Sequence, residues 1–269
     1  MKRKLLLNLL LFTLLSGLCL ADDDRPVLEG VYACGFLSKG NSAIGLIETE
    51  YGFKAITPGQ KLGDYTVHSL SADGPFVFTV EGEEQVAEWM DMETQSSSSS
   101  SGPIQVRLED VNCHEASQAL AKLLGYSFFC DLNFAGSVSL RGAFDEQALW
   151  PKLVAAGEEQ VFESKRVGHA VVIGVPEKVA RVEAALKQDF RKDKLVTLDF
   201  TYAELNYVLK VLSENELGLE GRFPSNLDGG VTITARNTPA SALLEASLAL
   251  QDKSYKVVWS PEAVVVTED

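Results

Sequence analysis

Basic side chains are scarce in this 269-residue chain: 24 Lys and Arg stand against 38 Asp and Glu, a formal charge of −14. No basic cluster stands apart from that balance. A surface this negative repels phosphate backbones and anionic lipid, so nucleic acid is excluded as a partner. Histidine is scarcer still. His68, His114 and His169 fall in three different predicted elements with no second ligand at metal spacing. They read as surface or satisfied core side chains, and neither a metal nor another cofactor is expected. A Gly-x-Ser-x-Gly elbow and a glycine–lysine phosphate cradle are both missing. Among 38 carboxylates some pair always falls close, so no acid–base couple can be singled out. The chain reads as a non-enzyme. Glycine (21) and proline (9) occur in ordinary proportion and 46% of residues are hydrophobic, which excludes collagen-like or wholly disordered chain.

What is present begins with Lys2-Arg3-Lys4 and an apolar run from Leu5 to Ala21, the layout of an export signal. Cys19 and Ala21 place small side chains at the minus-three and minus-one positions of a cut before Asp22. Cleavage there delivers the chain to the periplasm. The run is at the short limit for a hydrocarbon layer about 30 Å thick, and an uncleaved inner-membrane anchor is the open alternative. A lipid anchor on Cys19 is disfavoured by Leu18 ahead of it. The mature chain keeps Cys34, Cys113 and Cys130, and an oxidising compartment permits one bridge among them.

The expected fold class is α+β: a small all-β barrel or sandwich, then two tandem βαββαββ modules. From residue 22 to 92 six short β-rich runs, Val31–Leu37, Ala43–Glu48, Gly52–Ile56, Tyr65–Leu70, Phe76–Val80 and Val86–Met90, alternate with Gly/Pro/Asn turns. Residues 93–103 hold six consecutive serines, Ser96 to Ser101, then Gly102 and Pro103. Such a segment has too little apolar area to offset its ordering entropy, so it reads as a tether that leaves the first domain moving independently.

The remainder repeats itself, as residues 104–192 and 193–269. Val106–Glu109 returns as Val196–Asp199; Ala116, Ala119, Leu120 and Leu123 return as Leu205, Val208, Leu209 and Leu212, both at helical spacing. Val138-Ser139-Leu140, Ala148-Leu149 and Ala170–Ile173 then return as Val231-Thr232-Ile233, Leu243-Leu244 and Ala263–Val266. Asp145 is placed to cap a helix over 146–156, Pro239 stands at a helix start, and Pro176 opens an added helix, Glu177–Phe190, packed on the first copy or between the two. A helix from Cys113 to Leu124 runs roughly 17 Å and the strand from Tyr126 to Cys130 returns about as far. Cys113 and Cys130 are therefore expected to form a disulfide, leaving Cys34 unbridged.

Val196–Phe200, Ala203–Leu209, Val231–Ile233, Ala240–Leu248 and Val264–Val266 resemble the secretin and TonB short amino-terminal (STN) domain, a periplasmic module at the entrance of secretin channels. The first copy departs from its opening-strand pattern by placing Asp110 where Phe200 stands. Gly30-Val31, Ala43-Ile44, Ile47-Glu48, Pro58–Gly63 and Tyr65–Val67 resemble the homology region shared by the type II secretion platform protein C and the type IV pilus lipoprotein P. The resemblances imply a periplasmic adaptor of a secretin-based machine whose partners are a secretin or other secretion or pilus envelope proteins. A ring of copies is an open possibility. They also leave a rival, a signalling module of the kind found in TonB-dependent transducers.

With no catalytic constellation, binding through unpaired sheet edges is the remaining mode of action. The candidate edges are Phe76, Val77 and Phe78 in the front domain, Val171, Val172 and Ile173 in the first copy, and Val264, Val265 and Val266 in the second.

Overall fold

The computed structural model describes residues 25–89, 103–157, 161–188 and 193–269. The expected leader and all of the serine run up to Gly102 lie outside the described residues, as does Phe190. The described residues are mixed α+β, with several sheets and no closed barrel among them.

Five of the six β-rich runs of the front segment are strands; of Val86–Met90 only Val86 and Ala87 fall in a strand, which begins earlier at Glu83, and Met90 lies outside the described residues. β1 (Val31–Lys39), β2 (Ser42–Thr49) and β3 (Gly52–Ile56) form one meander; β4 (Lys61–Leu62), β5 (Tyr65–Ser69), β6 (Phe76–Val80) and β7 (Glu83–Ala87) form another. The β6–β7 hairpin turns on Glu81 and Gly82, at φ 51° and 93°, the left-handed pair that a two-residue turn demands. The two sheets face each other across Phe36, Ile47, Ile56, Val67, Phe76, Phe78 and Trp89, so the front segment is an open sandwich and the barrel alternative falls.

After it come β8 (Ile104–Asn112), α1 (Cys113–Leu124), β9 (Ser127–Cys130), β10 (Ser137–Phe144), α2 (Glu146–Val154), β11 (Glu163–Val167), β12 (Ala170–Gly174) and α3 (Pro176–Leu186). The second copy runs β13 (Leu195–Glu204), α4 (Leu205–Lys210) prolonged by a π-helical turn (Val211–Glu216), β14 (Glu220–Arg222), β15 (Gly230–Pro239), α5 (Ala240–Ala249), β16 (Tyr255–Trp259) and β17 (Ala263–Glu268). The ladders repeat with the order. β8 pairs antiparallel with β10 as β13 does with β15, β9 runs parallel to β12 as β14 does to β17, and β11–β12 matches β16–β17.

The expectation of an independently moving front domain is corrected by the first of these ladders. β8 pairs antiparallel with β1, Gly35 opposite Leu108 and Ser38 opposite Gln105, giving one sheet in the order β10-β8-β1-β2-β3. The backbones meet at Gly35, where a Cβ would stand 2.8 Å from Leu46 and 3.1 Å from Leu108. Arg107 adds a clamp. Its guanidinium lies 3.7 Å over the Trp89 ring and Nη1 donates to the Ala72 carbonyl at 2.8 Å. Unpaired strand edges on the two segments meet and satisfy each other, which a serine-rich connection permits.

The two copies are joined in the same way. β15 pairs with β9, so a second sheet runs β11-β12-β9-β15-β13 and takes strands from both. Its central strands separate two cores. Phe128, Cys130, Val171 and Ile173 face the one built around α1 and α2; Phe129 and Val172 face the one built around α3, α4 and α5. α3 packs on β12 and against α5, between the copies, and its buried Lys178 bonds Asp131 at 3.0 Å and Asp252 at 2.6 Å.

This topology corrects the candidate interface strands. Phe76–Phe78 belong to β6 between β5 and β7, Val171–Ile173 to β12 between β11 and β9, and Val264–Val266 to β17 between β14 and β16. All are interior strands. Runs of consecutive apolar residues mark strands covered on both faces, whereas a solvated edge alternates. Two smaller expectations also change. α2 ends at Val154, and the Asp145 side chain makes no capping bond; its carbonyl accepts from Leu149 instead. The expected Cys113–Cys130 bridge is not formed: both residues are buried thiols in the same core, as is Cys34. Burial raises the Cys130 thiol well above its ordinary value, and a protonated, enclosed thiol is a poor partner for disulfide exchange. No helix of the described residues is long and apolar enough to cross a membrane.

A groove between two open sheet edges

α1 sits between the front sheet and the shared sheet. Asn112 caps its start by accepting from the His114 N–H at 2.9 Å, and Gly125, at φ 74°, closes its end. Ala116, Ala119 and Leu120 are buried, while Glu115, Gln118 and Lys122, spaced i, i+3, i+7, form a polar shoulder on one side. There the front sheet ends at β3 and the shared sheet ends at β13, so two edges, each with one side unpaired among the described residues, border the same opening. The result is a groove of about 1300 Å³. Its α1 end is lined by Glu115, Gln118, Lys122, Asp199 and Thr201, its middle by β3 from Gly52 to Ala55, and its far end by Leu28, Leu62 and Phe78 at the sandwich mouth.

The polar end is a network between the copies. The Gln118 amide donates to Asp199 Oδ1 at 3.3 Å, Thr201 Oγ1 at 3.2 Å and Thr234 Oγ1 at 3.2 Å. Lys122 Nζ lies 3.5 Å from the other Asp199 oxygen. Glu115 stands apart from these bonds. It is 7% exposed, and among the described residues no donor or cation reaches its carboxyl. Burial, reinforced by the Asp199 carboxylate, pushes it up to about 7. Behind it His114 is enclosed, its Nδ1 2.8 Å from the Tyr202 hydroxyl and its Nε2 without a hydrogen-bond partner among the described residues. Burial lowers His114 to about 4 and raises Tyr202 to about 12. Tyr202 adopts φ 50° at a β-bulge, and its N–H donates to Thr232 Oγ1 at 3.0 Å.

Chemically the groove offers carboxylates, an amide, hydroxyls and unpaired backbone. Cys34 lies outside it, donating to the Leu46 carbonyl and pushed up to about 12 by burial and then by Glu48, so it is not a thiolate at neutral pH. No metal-binding group of three His, Cys, Asp or Glu occurs among the described residues. Of the candidate interface residues, Phe78 alone lines this groove. His68 faces Glu84 in solvent and His169 is in the turn before β12. Glu115, Gln118, Lys122, Asp199 and Thr201 were not among the candidate site residues. The polar stripe opposite Ala116, Ala119 and Leu120 was visible in the helical spacing, but no local pattern says that it borders a strand from eighty residues away. No family model, curated protein or solved structure matches this chain.

Proposed function

We propose that the chain is a non-enzymatic docking component of a secretin-based trans-envelope machine of the type II secretion or type IV pilus kind, exported to the periplasm. In this reading residues 104–192 and 193–269 hold tandem βαββαββ modules of the STN kind, the first with an added helix, behind a homology-region-like front domain. The repeated element order and ladders support the duplication, and the export-signal layout of residues 1–21 supports the compartment. One observation carries the mode of action: β3 and β13 present unpaired edges on either side of a single groove. Backbone groups at such edges accept a strand from another chain.

The experiment is in-cell cross-linking from photoreactive residues at Lys54 on β3 and Thr201 on β13, with Glu177 on α3 as an exposed control outside the groove. Envelope secretion or pilus components should be captured from the groove positions and not from the control. Equal capture from all three, or none from the groove, would refute the reading.

A further inference from the structure

The groove's polar end holds a largely enclosed carboxyl group that faces the opening. Glu115 is almost fully enclosed by protein yet its side chain opens on the groove, with like-charged Asp199 beside it and no donor or cation in reach among the described residues. Lys122, about two turns further along the same face of α1, already pairs with Asp199. Ionising a largely enclosed carboxyl beside a like charge is costly, and a cation delivered through the opening lowers that cost. The surroundings point the same way. Glu29, Glu48, Glu50, Glu115 and Asp199 line the groove against Lys54 and Lys122 alone, within a chain of net charge −14.

Along the wall between Glu115 and the sandwich mouth runs β3, whose residues Gly52 to Ala55 all border the groove and whose outer side pairs with nothing among the described residues. An edge of this kind is read by an extended segment, since only that conformation offers backbone groups in matching alternation. The far end, at Leu28, Leu62 and Phe78, suits apolar side chains.

We infer that the groove receives an extended, cationic segment of a partner protein, which adds to the open edge of β3 and sets a Lys or Arg side chain against Glu115. This deepens the docking reading and rests on it. Main-chain bonds to β3 supply sequence-tolerant affinity, and Glu115 supplies the preference for a cation over an anion.

The test uses the full chain and a fluorescein-labelled, acetylated and amidated octapeptide of alternating Val and Lys, followed by anisotropy. The peptide binds, its Val–Glu counterpart does not, and methylating alternate backbone nitrogens abolishes binding. Glu115→Gln weakens it at least about tenfold, and Lys122→Ala, which removes a competing cation, tightens it about threefold. Glu115→Gln is near-isosteric and removes a buried charge, so its thermal unfolding serves as the folding control. Unchanged affinity in Glu115→Gln would overturn the inference, as would competition by spermine as strong as by unlabelled peptide, since charge alone would then suffice. Dimers of the chain that Glu115→Gln dissociates would assign the groove to a second copy and overturn it too. If the peptide fails while Lys54 and Thr201 still capture envelope partners, the inference falls and the docking reading stands; if both fail, the docking reading falls as well.

Discussion

Glu115 and His114 are neighbours in the chain whose protons pull stability in opposite directions. Glu115 holds its proton up to about 7 in the folded chain, against an ordinary 4.5, so between those values folding takes up a proton and stability falls as pH rises. His114 is held neutral down to about 4, against an ordinary 6.5, so between 6.5 and 4 acidification costs stability. The two slopes oppose each other where the windows overlap. Glu115→Gln should therefore stabilise the chain above pH 7, by on the order of 2 kcal/mol, and leave stability climbing steadily from pH 4 to 6.5 on the His114 slope alone. Asp199, Lys122 and Tyr202, which surround the pair, are common to both proteins, so the difference between their melting curves across pH 4 to 8 isolates Glu115. No gain at pH 8 would mean that the carboxyl is solvated. Arg107 is a second decisive residue. It is 3% exposed, stacked on Trp89, and bonds Ala72 and Glu109, the latter at 2.7 Å. A lysine keeps the charge but not the planar fork, so Arg107→Lys should lose about 2 kcal/mol in urea unfolding, with Trp89 emission moving first.

At the scale of elements, local pattern gave the strands and helices but misplaced one alignment between the copies. The opening comparison set Asp110 against Phe200, a polar residue at a core position. The bulges set it differently. β8 is irregular between Leu108 and Val111, β13 between Phe200 and Ala203, and the left-handed residues inside them are Asp110 and Tyr202. Leu108 is thus the counterpart of Phe200, and both copies open on alternating apolar residues, Ile104-Val106-Leu108 and Val196-Leu198-Phe200. A bulge adds a residue that periodicity cannot register, which is why the offset was misread. The valine run of β17 was misread for a different reason: whether a strand is an edge depends on pairings made far away in the chain. With β17 between β14 and β16, Val265→Pro removes a ladder donor inside a sheet and should cost at least about 2 kcal/mol, whereas Val265→Ala, at a half-buried position, costs about 1 or less. Thermal unfolding of the two variants checks this, and equal melting points would return β17 to the edge.

For the whole molecule, the joints between segments are strand pairings of high sequence separation: β1 with β8, β9 with β15. Neither leaves a trace in local periodicity, because the residues that make them are ordinary alternating strands and the bonds are between backbones. The groove is a product of those joints. Its walls come from β2, β3, α1 and β13, so no stretch of sequence could display it, although each polar residue in it was readable singly. The same joints decide how the front segment behaves. If residues 22–92 were only tethered, cutting the serine run would release them. With the β1–β8 ladder, the Arg107–Trp89 stack and Leu37, Ile44 and Leu46 shared with Val106 and Leu108 in one core, the cut pieces should stay together. A protease site placed within Ser96–Ser101 allows this to be measured. After cleavage the two fragments should co-elute in size exclusion and part only in denaturant, at a midpoint close to that of the intact chain's own unfolding. Arg107→Lys should bring that separation to lower denaturant. Fragments that elute apart in buffer alone would restore the tethered front domain and remove β3 from the groove.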